Sequence, residues 1–519
     1  MDNSRQLKIG SFLSYLQMGL SILIGLAYTP VMIRLLGKSE YGLYNTVVST
    51  ISTLSILNLG FNSGYIRYYA RYKAERNQDA IFRLNGLFLL IFSVIGLVAL
   101  LCGLFLTNNL PLVFSDGLTE EEYRIAEILM YLMTFNLAFS FPMSVFQNII
   151  SAHERFVFLK ALGLLKTVVS PLVTLPLLLM GFRSIAMVTV TVVIALVTDC
   201  LYMFYTFVKL HNRFIFKNLE KKIFTGLFAY SALIAVNSIV DQINWNVDKI
   251  LLGRFCGTES VAIYSVGYSL YAYYMTFSTS ISGVFTPRIH GIVVECSGNS
   301  DLLRERLTSL FVRVGRIQFL LLGLLASGFV FFGKSFIMNI WVGSEYAEAY
   351  YVALLLMLPA TISLTQNLGI EIQRAQNKHW FRSVAYGIMA LVNLGISIVL
   401  CQLYGAVGSA IGTAISLVLC NGLVMNLYYH RHCNIDVGAF WYNILMQTRG
   451  MLIPIAAGIL ITHFVEITSV WKFALCVVVY CGIYTGSIWC FSMNEAEKNL
   501  LRTPWKKARN KLLSSKKHS

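Results

Sequence analysis

Apolar runs of about 20 residues, separated by short polar connectors, recur along the whole chain. A run of that length, coiled at about 1.5 Å per residue, crosses the hydrocarbon core of a bilayer. No water is present there to satisfy backbone N–H and C=O groups, so such runs close their hydrogen bonds within a helix. The runs predict spans at about 11–36, 42–66, 85–107, 125–149, 157–180, 185–208, 227–252, 260–285, 314–333, 349–369, 384–403, 406–429, 449–466 and 470–492. The expected fold class is an all-α polytopic membrane protein of about fourteen transmembrane helices. Composition agrees: 56% of residues are apolar and 13% charged, too few polar groups to coat a water-soluble body of this size.

The formal net charge of +16 does not point to nucleic acid, because the basic residues sit in connectors and in the tail. With a cytoplasmic N-terminus, 32 of the 41 Lys and Arg fall on the inner side and 8 on the outer side, with Lys166 left inside a span. That is the positive-inside pattern. It places both termini in the cytoplasm and favours an even helix count. The basic tail from Lys498 to Lys517 is expected at the cytoplasmic surface, near anionic lipid. Arg5 and Lys8 precede an apolar stretch too long for a secretory signal, and no small-residue cleavage site follows it. The ten cysteines are scattered singly, with no CxxC and no His/Cys ligand spacing, so neither a disulfide framework nor a metal centre is expected.

The chain carries an internal repeat. Leu35-Leu36-Gly37 followed by Tyr41-Gly42-Leu43-Tyr44 matches Leu251-Leu252-Gly253 followed by Val261-Ala262-Ile263-Tyr264. Ala152 six residues before Phe158 matches Ala375 six before Phe381, and Gly181 matches Gly405. Their order argues a duplicated six-helix unit. Since six is even, both copies enter from the same side, a parallel repeat. The expected organisation is an N-lobe over 1–215, a C-lobe over 216–433, a two-helix extension over 434–495 and the basic tail over 496–519. Two such lobes suit a transporter that rocks about a central cleft.

Polar residues inside spans mark the candidate site. Asn237, Asp241, Asn244 and Asp248 recur at helical spacing on one face of the seventh span. A carboxylate at membrane depth is costly and so points to function; the alternative is a structural carboxylate bonded to neighbouring helices. The first match, Gly37 with Gly253, maps this face onto Ser21, Gly25, Tyr28 and Met32 of the first span. Lys166 and Asp199 are placed at similar depth on adjacent antiparallel helices. Either they pair, or Lys166 faces the cleft and attracts an anionic group. Prolines at 30, 142, 171, 176, 359 and 454 predict kinks. The run from Gly328 to Ser335 matches G-x-x-x-x-G-K-[ST], but its spacer is apolar and it ends a membrane helix. A phosphate loop needs a preceding strand, so this motif is not expected to bind nucleotide.

The stretch from Gly10-Ser11-Phe12 through Pro30-Val31-Met32-Ile33-Arg34-Leu35-Leu36-Gly37 to Tyr41-Gly42-Leu43-Tyr44 resembles the first-helix signature of Wzx-type polysaccharide flippases. These belong to the multidrug/oligosaccharidyl-lipid/polysaccharide exporter superfamily. Asp248-Lys249-Ile250-Leu251-Leu252-Gly253 with Ile263-Tyr264-Ser265 is similar to the second-lobe signature, and the resemblance covers about residues 7–430. It implies a non-enzymatic flippase of the bacterial cytoplasmic membrane, moving undecaprenyl-pyrophosphate-linked oligosaccharide to the outer leaflet by alternating access. Implied partners are the lipid-linked oligosaccharide, membrane lipids, a polysaccharide polymerase and glycosyltransferases. The implied cationic cavity rests here on Lys166, Arg34 and Arg374. No cofactor is implied beyond a coupling Na⁺ or H⁺, for which Asp241, Asn393 and Thr413 are analogous to the set on helices seven, eleven and twelve of lipid II flippases. Those relatives also carry fourteen helices, the extra pair forming a lipid-facing groove, and place several arginines in the first helix. Here the first helix has Arg34 alone, near its outer end, which argues against lipid II itself. The rival readings are a cation-coupled multidrug exporter, which usually has twelve helices, and a non-transporting envelope scaffold.

Overall fold

A computed structural model of the chain describes residues 3–114, 118–217, 235, 238–240, 242–244, 246–499 and 502. Among these residues every regular element is helical. In chain order they are α1 (Asn3–Leu36), α2 (Lys38–Thr53), α3 (Phe61–Ala74), α4 (Gln78–Asn108), α5 (Glu120–Ala152), α6 (Phe156–Leu179) and α7 (Arg183–Val208). Helical residues 246–255 form α8. Then come α9 (Thr258–Val284), α10 (Thr286–Glu295), α11 (Ser300–Ser335), α12 (Glu348–Thr365), α13 (Leu368–Ala375), α14 (Trp380–Leu417), α15 (Asn426–His432), α16 (Val437–Thr448), α17 (Leu452–Phe464) and α18 (Val470–Phe491).

Ten of the described helical runs are long and apolar enough to cross a membrane, and the protein is a multi-pass membrane protein. The longest run, Trp380–His432, contains two spans, because its backbone leaves helical geometry at Tyr404 and Gly405. That is where the sequence divides 384–403 from 406–429. The span expected at 42–66 is not one helix. It breaks over Leu54–Gly60, where Leu59 and Gly60 turn left-handed (φ 48° and 73°). The Thr46, Thr50 and Thr53 hydroxyls just before the break donate to carbonyls four residues back, which bends a helix. The span expected to start at 449 begins at Val437 and passes through a tight turn at Arg449–Met451. Twelve of the 26 positions of the span expected at 227–252, Asn237 and Asp241 among them, lie outside the described residues. The apparent phosphate loop at 328–335 lies within α11, where its backbone N–H groups serve the helix.

The duplication is written in the backbone. Left-handed residues recur in pairs: Gly37 with Gly257, Arg76 with Gly298, Glu154 with Asn377, Gly181 with Gly405, and His211 with Asn434. The offset stays between about 220 and 224 residues throughout. Helix starts recur too: Asn77 accepts from the Ala80 N–H at the start of α4, and Asn299 from the Leu302 N–H at the start of α11. This register corrects one match. Gly37 pairs with Gly257, each just ahead of a new helix, and not with Gly253. Tyr44 then pairs with Tyr264, and Asp248 falls on Tyr28 instead of Met32, one helical turn away.

Packing divides the chain into two compact units: Met1–Ser265 with Tyr386–Gly412, and Val266–Ala385 with Thr413–Ser519. In the first unit α4 and α5 lie close because Gly96 and Gly103 leave no side chain between them. A Cβ at Gly96 would stand 2.5 Å from the Ala138 carbonyl oxygen, and one at Gly103 2.3 Å from Thr134 Cγ2. Small residues are the usual means of close helix approach in lipid. Phe61, Tyr65, Leu84, Phe88 and Phe92 fill the core beside them. Outward, Leu90, Val94, Leu97, Leu101 and Phe105 form an exposed apolar stripe on α4, suited to acyl chains. In the second unit α11 packs against α12, α16 and α18. Its one buried arginine, Arg316, is held by Glu497 at 2.6 and 2.9 Å and also donates to the Ser492 and Asn443 carbonyls. Removing one partner of such a pair costs about 3–5 kcal/mol, so this contact fastens the end of the two-helix extension to α11.

Candidate ion and substrate site

The best-defined polar site lies in the first unit, where α8, the start of α9 and the bend of α14 meet. Asp248 on α8 is buried. Its Oδ2 accepts from the Tyr264 hydroxyl and its Oδ1 from the Ser409 hydroxyl, both at 2.7 Å. Donors on both oxygens suit the ionised form. The neighbouring Lys249 lies within electrostatic reach of the same carboxylate. Helix geometry sets this up: Tyr264 stands two turns into α9, and Ser409 one turn past the α14 bend.

A second polar cluster lies along the α14 hairpin. Asn393 is buried, and its Oδ1 accepts from the Ser397 hydroxyl at 3.1 Å. The two halves of α14 approach closely because Gly408 and Gly412 lack side chains. A Cβ at Gly412 would stand 2.5 Å from Ser397 Oγ and 3.2 Å from Asn393 Oδ1. A Cβ at Gly408 would stand 1.9 Å from the Leu400 carbonyl oxygen. Asn244 is half-buried, one turn before Asp248. Thr413 follows Gly412 and is half-buried in the second unit.

The expected cationic residues are spread out. Lys166 is exposed on α6 and Asp199 half-buried on α7. The lysine's charge reaches the Asp199 carboxylate, but among the described residues the two form no direct ion pair. Arg34 is exposed in the last turn of α1. Arg374 is exposed at the end of α13, paired at 2.7 Å with Glu371. Asn237 and Asp241 lie outside the described residues.

Two features of the second unit went unread in the sequence. A cavity of about 690 Å³ lies at the start of α11, lined by Asp301, Arg304, Arg313, Arg316, Asp436 and Glu497. An apolar groove of about 440 Å³ runs between α11, α12, α16 and α17, lined by Phe319, Phe331, Leu358, Ile362, Trp441 and Ile455. The signal for the first was Arg316 at the edge of an apolar run. The second has no local sequence signal, because its walls come from four separate helices.

A further polar cluster joins the turn before α2 to the turn before α9, again within the first unit. Ser39 Oγ lies 2.7 Å from Thr258 Oγ1, and Lys38 Nζ lies 3.1 Å from Glu259 Oε2. Ser39 also donates to Glu122. A Cβ at Gly42 would stand 1.8 Å from the Thr258 carbonyl oxygen, and one at Gly253 2.6 Å from Thr46 Cγ2. The two copies of the repeated turn are thus in direct backbone contact.

Comparison with known proteins agrees with this architecture. The lipid II flippase MurJ in an inward closed conformation matches with a TM-score of 0.70, at 14% identity over 92% of this chain and 97% of that one. An inward-facing multidrug resistance MATE family transporter of the MOP superfamily matches at 0.63, with 12% identity over 85% of this chain and 99% of that one. A probable low-salt glycan biosynthesis flippase, Agl15 of Haloferax volcanii, is 26% identical over 210 residues, which is 40% of this chain and 41% of that protein's length. The chain thus spans about two fifths of that relative. The model of the family described as "Polysaccharide biosynthesis protein" matches residues 8–293, more than half of the chain. With its duplicated helical unit and the fold of MOP-superfamily transporters, the chain belongs to the polysaccharide biosynthesis protein family.

Proposed function

We propose that this protein is a flippase that carries undecaprenyl-pyrophosphate-linked oligosaccharide units from the inner to the outer leaflet of the bacterial cytoplasmic membrane. The observation that carries the reading is the family match over 8–293 in a chain whose turns repeat at 220–224 residues. Two copies of one helical unit can rock against each other to alternate access, with both termini cytoplasmic. A lipid-linked sugar has an apolar tail and a hydrophilic head. The groove of the second unit, bounded partly by the extension helices α16 and α17, offers an apolar surface of the kind the tail requires. Lys166 and Arg34 supply positive charge for the pyrophosphate, and Asp248 with Asn244 and Asn393 supplies oxygen ligands for a coupling Na⁺ or a carboxylate for H⁺. Asp199 serves as the counter-charge that tempers Lys166.

The test is deletion of the gene followed by analysis of lipid-linked sugars by leaflet. Accumulation of the complete unit on the cytoplasmic face is expected. Unchanged glycolipids with altered drug sensitivity would instead favour an exporter. In the complemented strain Lys166→Ala is expected to lower the rate at which the unit reaches the outer leaflet, with folding unchanged. A loss of folded protein in that variant would reassign Lys166 to a structural pairing with Asp199.

A further inference from the structure

Two of the ten cysteines meet. Cys256 stands at the turn that ends α8, and Cys401 lies one turn before the bend of α14. The Cys256 thiol donates to the Cys401 carbonyl oxygen at 3.1 Å across a sequence separation of 145 residues. The Cys401 thiol donates to the Ile398 carbonyl oxygen at 3.4 Å. Cys401 is fully buried, whereas Cys256 is half-buried. Ser260 of α9 packs beside them: its Oγ donates to the Cys256 carbonyl at 3.2 Å, and a Cβ on Gly405 would stand 3.8 Å from that same Oγ, in ordinary contact. In the other copy of the repeat, 220 and 224 residues earlier, the corresponding positions are Leu36 and Leu177. Leucine meets the packing need there, so sulfur is not required for packing at this turn.

We propose that Cys256 and Cys401 form a redox-active pair on the outer face of the membrane, closing to a disulfide by exchange with a disulfide-bearing oxidant. The half-exposed Cys256, as thiolate, attacks one sulfur of the oxidant and releases its other sulfur as a thiolate. Cys401, as thiolate, then attacks the Cys256 sulfur of the mixed disulfide and releases the second. Two protein thiols lose two protons and two electrons, and the oxidant is reduced to two thiols. Disulfides persist in extracytoplasmic, oxidising surroundings, and both cysteines fall at helix ends that the positive-inside orientation puts outside. The bond would tie the end of α8 to α14 beside the Asp248 cluster. The outer placement rests on the orientation proposed above; the pairing itself does not.

The test uses the full-length protein in detergent, treated with oxidised glutathione, denatured, alkylated with a maleimide and mapped by mass spectrometry. Free thiols are expected to fall from ten to eight, with one cross-linked peptide joining residues 256 and 401. Cys256→Ser and Cys401→Ser should each retain all nine remaining thiols. Ten free thiols in folded, monodisperse wild type, or a bond to another cysteine, would overturn the pairing. Intact cells exposed to oxidised glutathione, which does not cross the membrane, should form the same link. A link formed only after lysis would overturn the outer placement and the orientation with it, without touching the flippase reading of the fold.

Discussion

The two copies of the repeat share a backbone and differ in what they bury there. In the first copy Tyr28 lies within electrostatic reach of Tyr44, while Thr174 of α6 donates its hydroxyl to the Ser170 carbonyl. In the second copy the same two positions hold Asp248 and Tyr264, joined by a 2.7 Å hydrogen bond, and Ser409 adds a second donor. One lining is phenolic and neutral; the other centres on a carboxylate. The difference teaches where a duplicated scaffold becomes specialised. The turns that set helix direction are kept, while the groups facing the polar interior diverge, and one copy carries a buried carboxylate where the other carries a phenol.

The largest expected effect comes from removing that charge. Asp248→Ala leaves the buried hydroxyls of Tyr264 and Ser409 without their acceptor and should cost about 3 kcal/mol, given ~1.5–3 kcal/mol for each hydrogen bond to a charged group. A lower melting temperature in detergent measures it. Asp248→Asn retains a hydrogen-bonding side chain and should recover most of that stability. If the carboxylate couples transport, Asp248→Asn should still slow export at least tenfold, whereas full activity at full stability would make Asp248 a structural group only. A smaller effect comes from the turn. Gly42→Ala drives a Cβ to 1.8 Å from the Thr258 carbonyl, an overpacking worth about 1–3 kcal/mol. The counterpart change Ala262→Gly meets no such obstacle and should cost about 1 kcal/mol through helix propensity alone. Comparable losses for the two would mean that the α2 contact contributes little to stability.

How far this asymmetry is legible in the sequence depends on the kind of interaction. Apolar runs report spans well, because lipid imposes the same requirement on each, and the Tyr404–Gly405 division falls where glycine allows a left-handed turn. The break over Leu54–Gly60 is harder to see, because hydropathy continues while threonine hydroxyls and left-handed residues interrupt the helix. Register is harder still. Leu35-Leu36-Gly37 resembles Leu251-Leu252-Gly253 letter by letter, yet the turn is made by Gly257, and one helical turn of error moves Asp248 from Tyr28 to Met32. The carboxylate itself is visible as a charge in an apolar run. Its partners are not, since Tyr264 and Ser409 lie 16 and 161 residues away and only folding brings them together. Arg316 and Glu497 are separated by 181 residues and are hidden for the same reason.

Two smaller predictions sharpen the comparison from the first copy and from the surface. Tyr28→Phe removes one neutral hydroxyl and should cost at most about 1 kcal/mol, well below the loss in Asp248→Ala. An equal loss would mean that the two linings are energetically equivalent despite their different charge. The smallest effect is expected at the exposed helix starts, where the copies use the same chemistry. Asn77 and Asn299 each accept from the backbone N–H three residues on, at 3.0 Å, satisfying one of the donors that a helix start leaves open. Asn77→Ala and Asn299→Ala should each cost about 0.5–1 kcal/mol, and by matching amounts, as read from thermal unfolding of the two single variants. Matching losses would locate the divergence between the copies in their interior groups and leave the frame common to both. A loss confined to one start would instead mean that even the shared turns bear different loads, and that the asymmetry extends from the buried carboxylate out to the membrane surface.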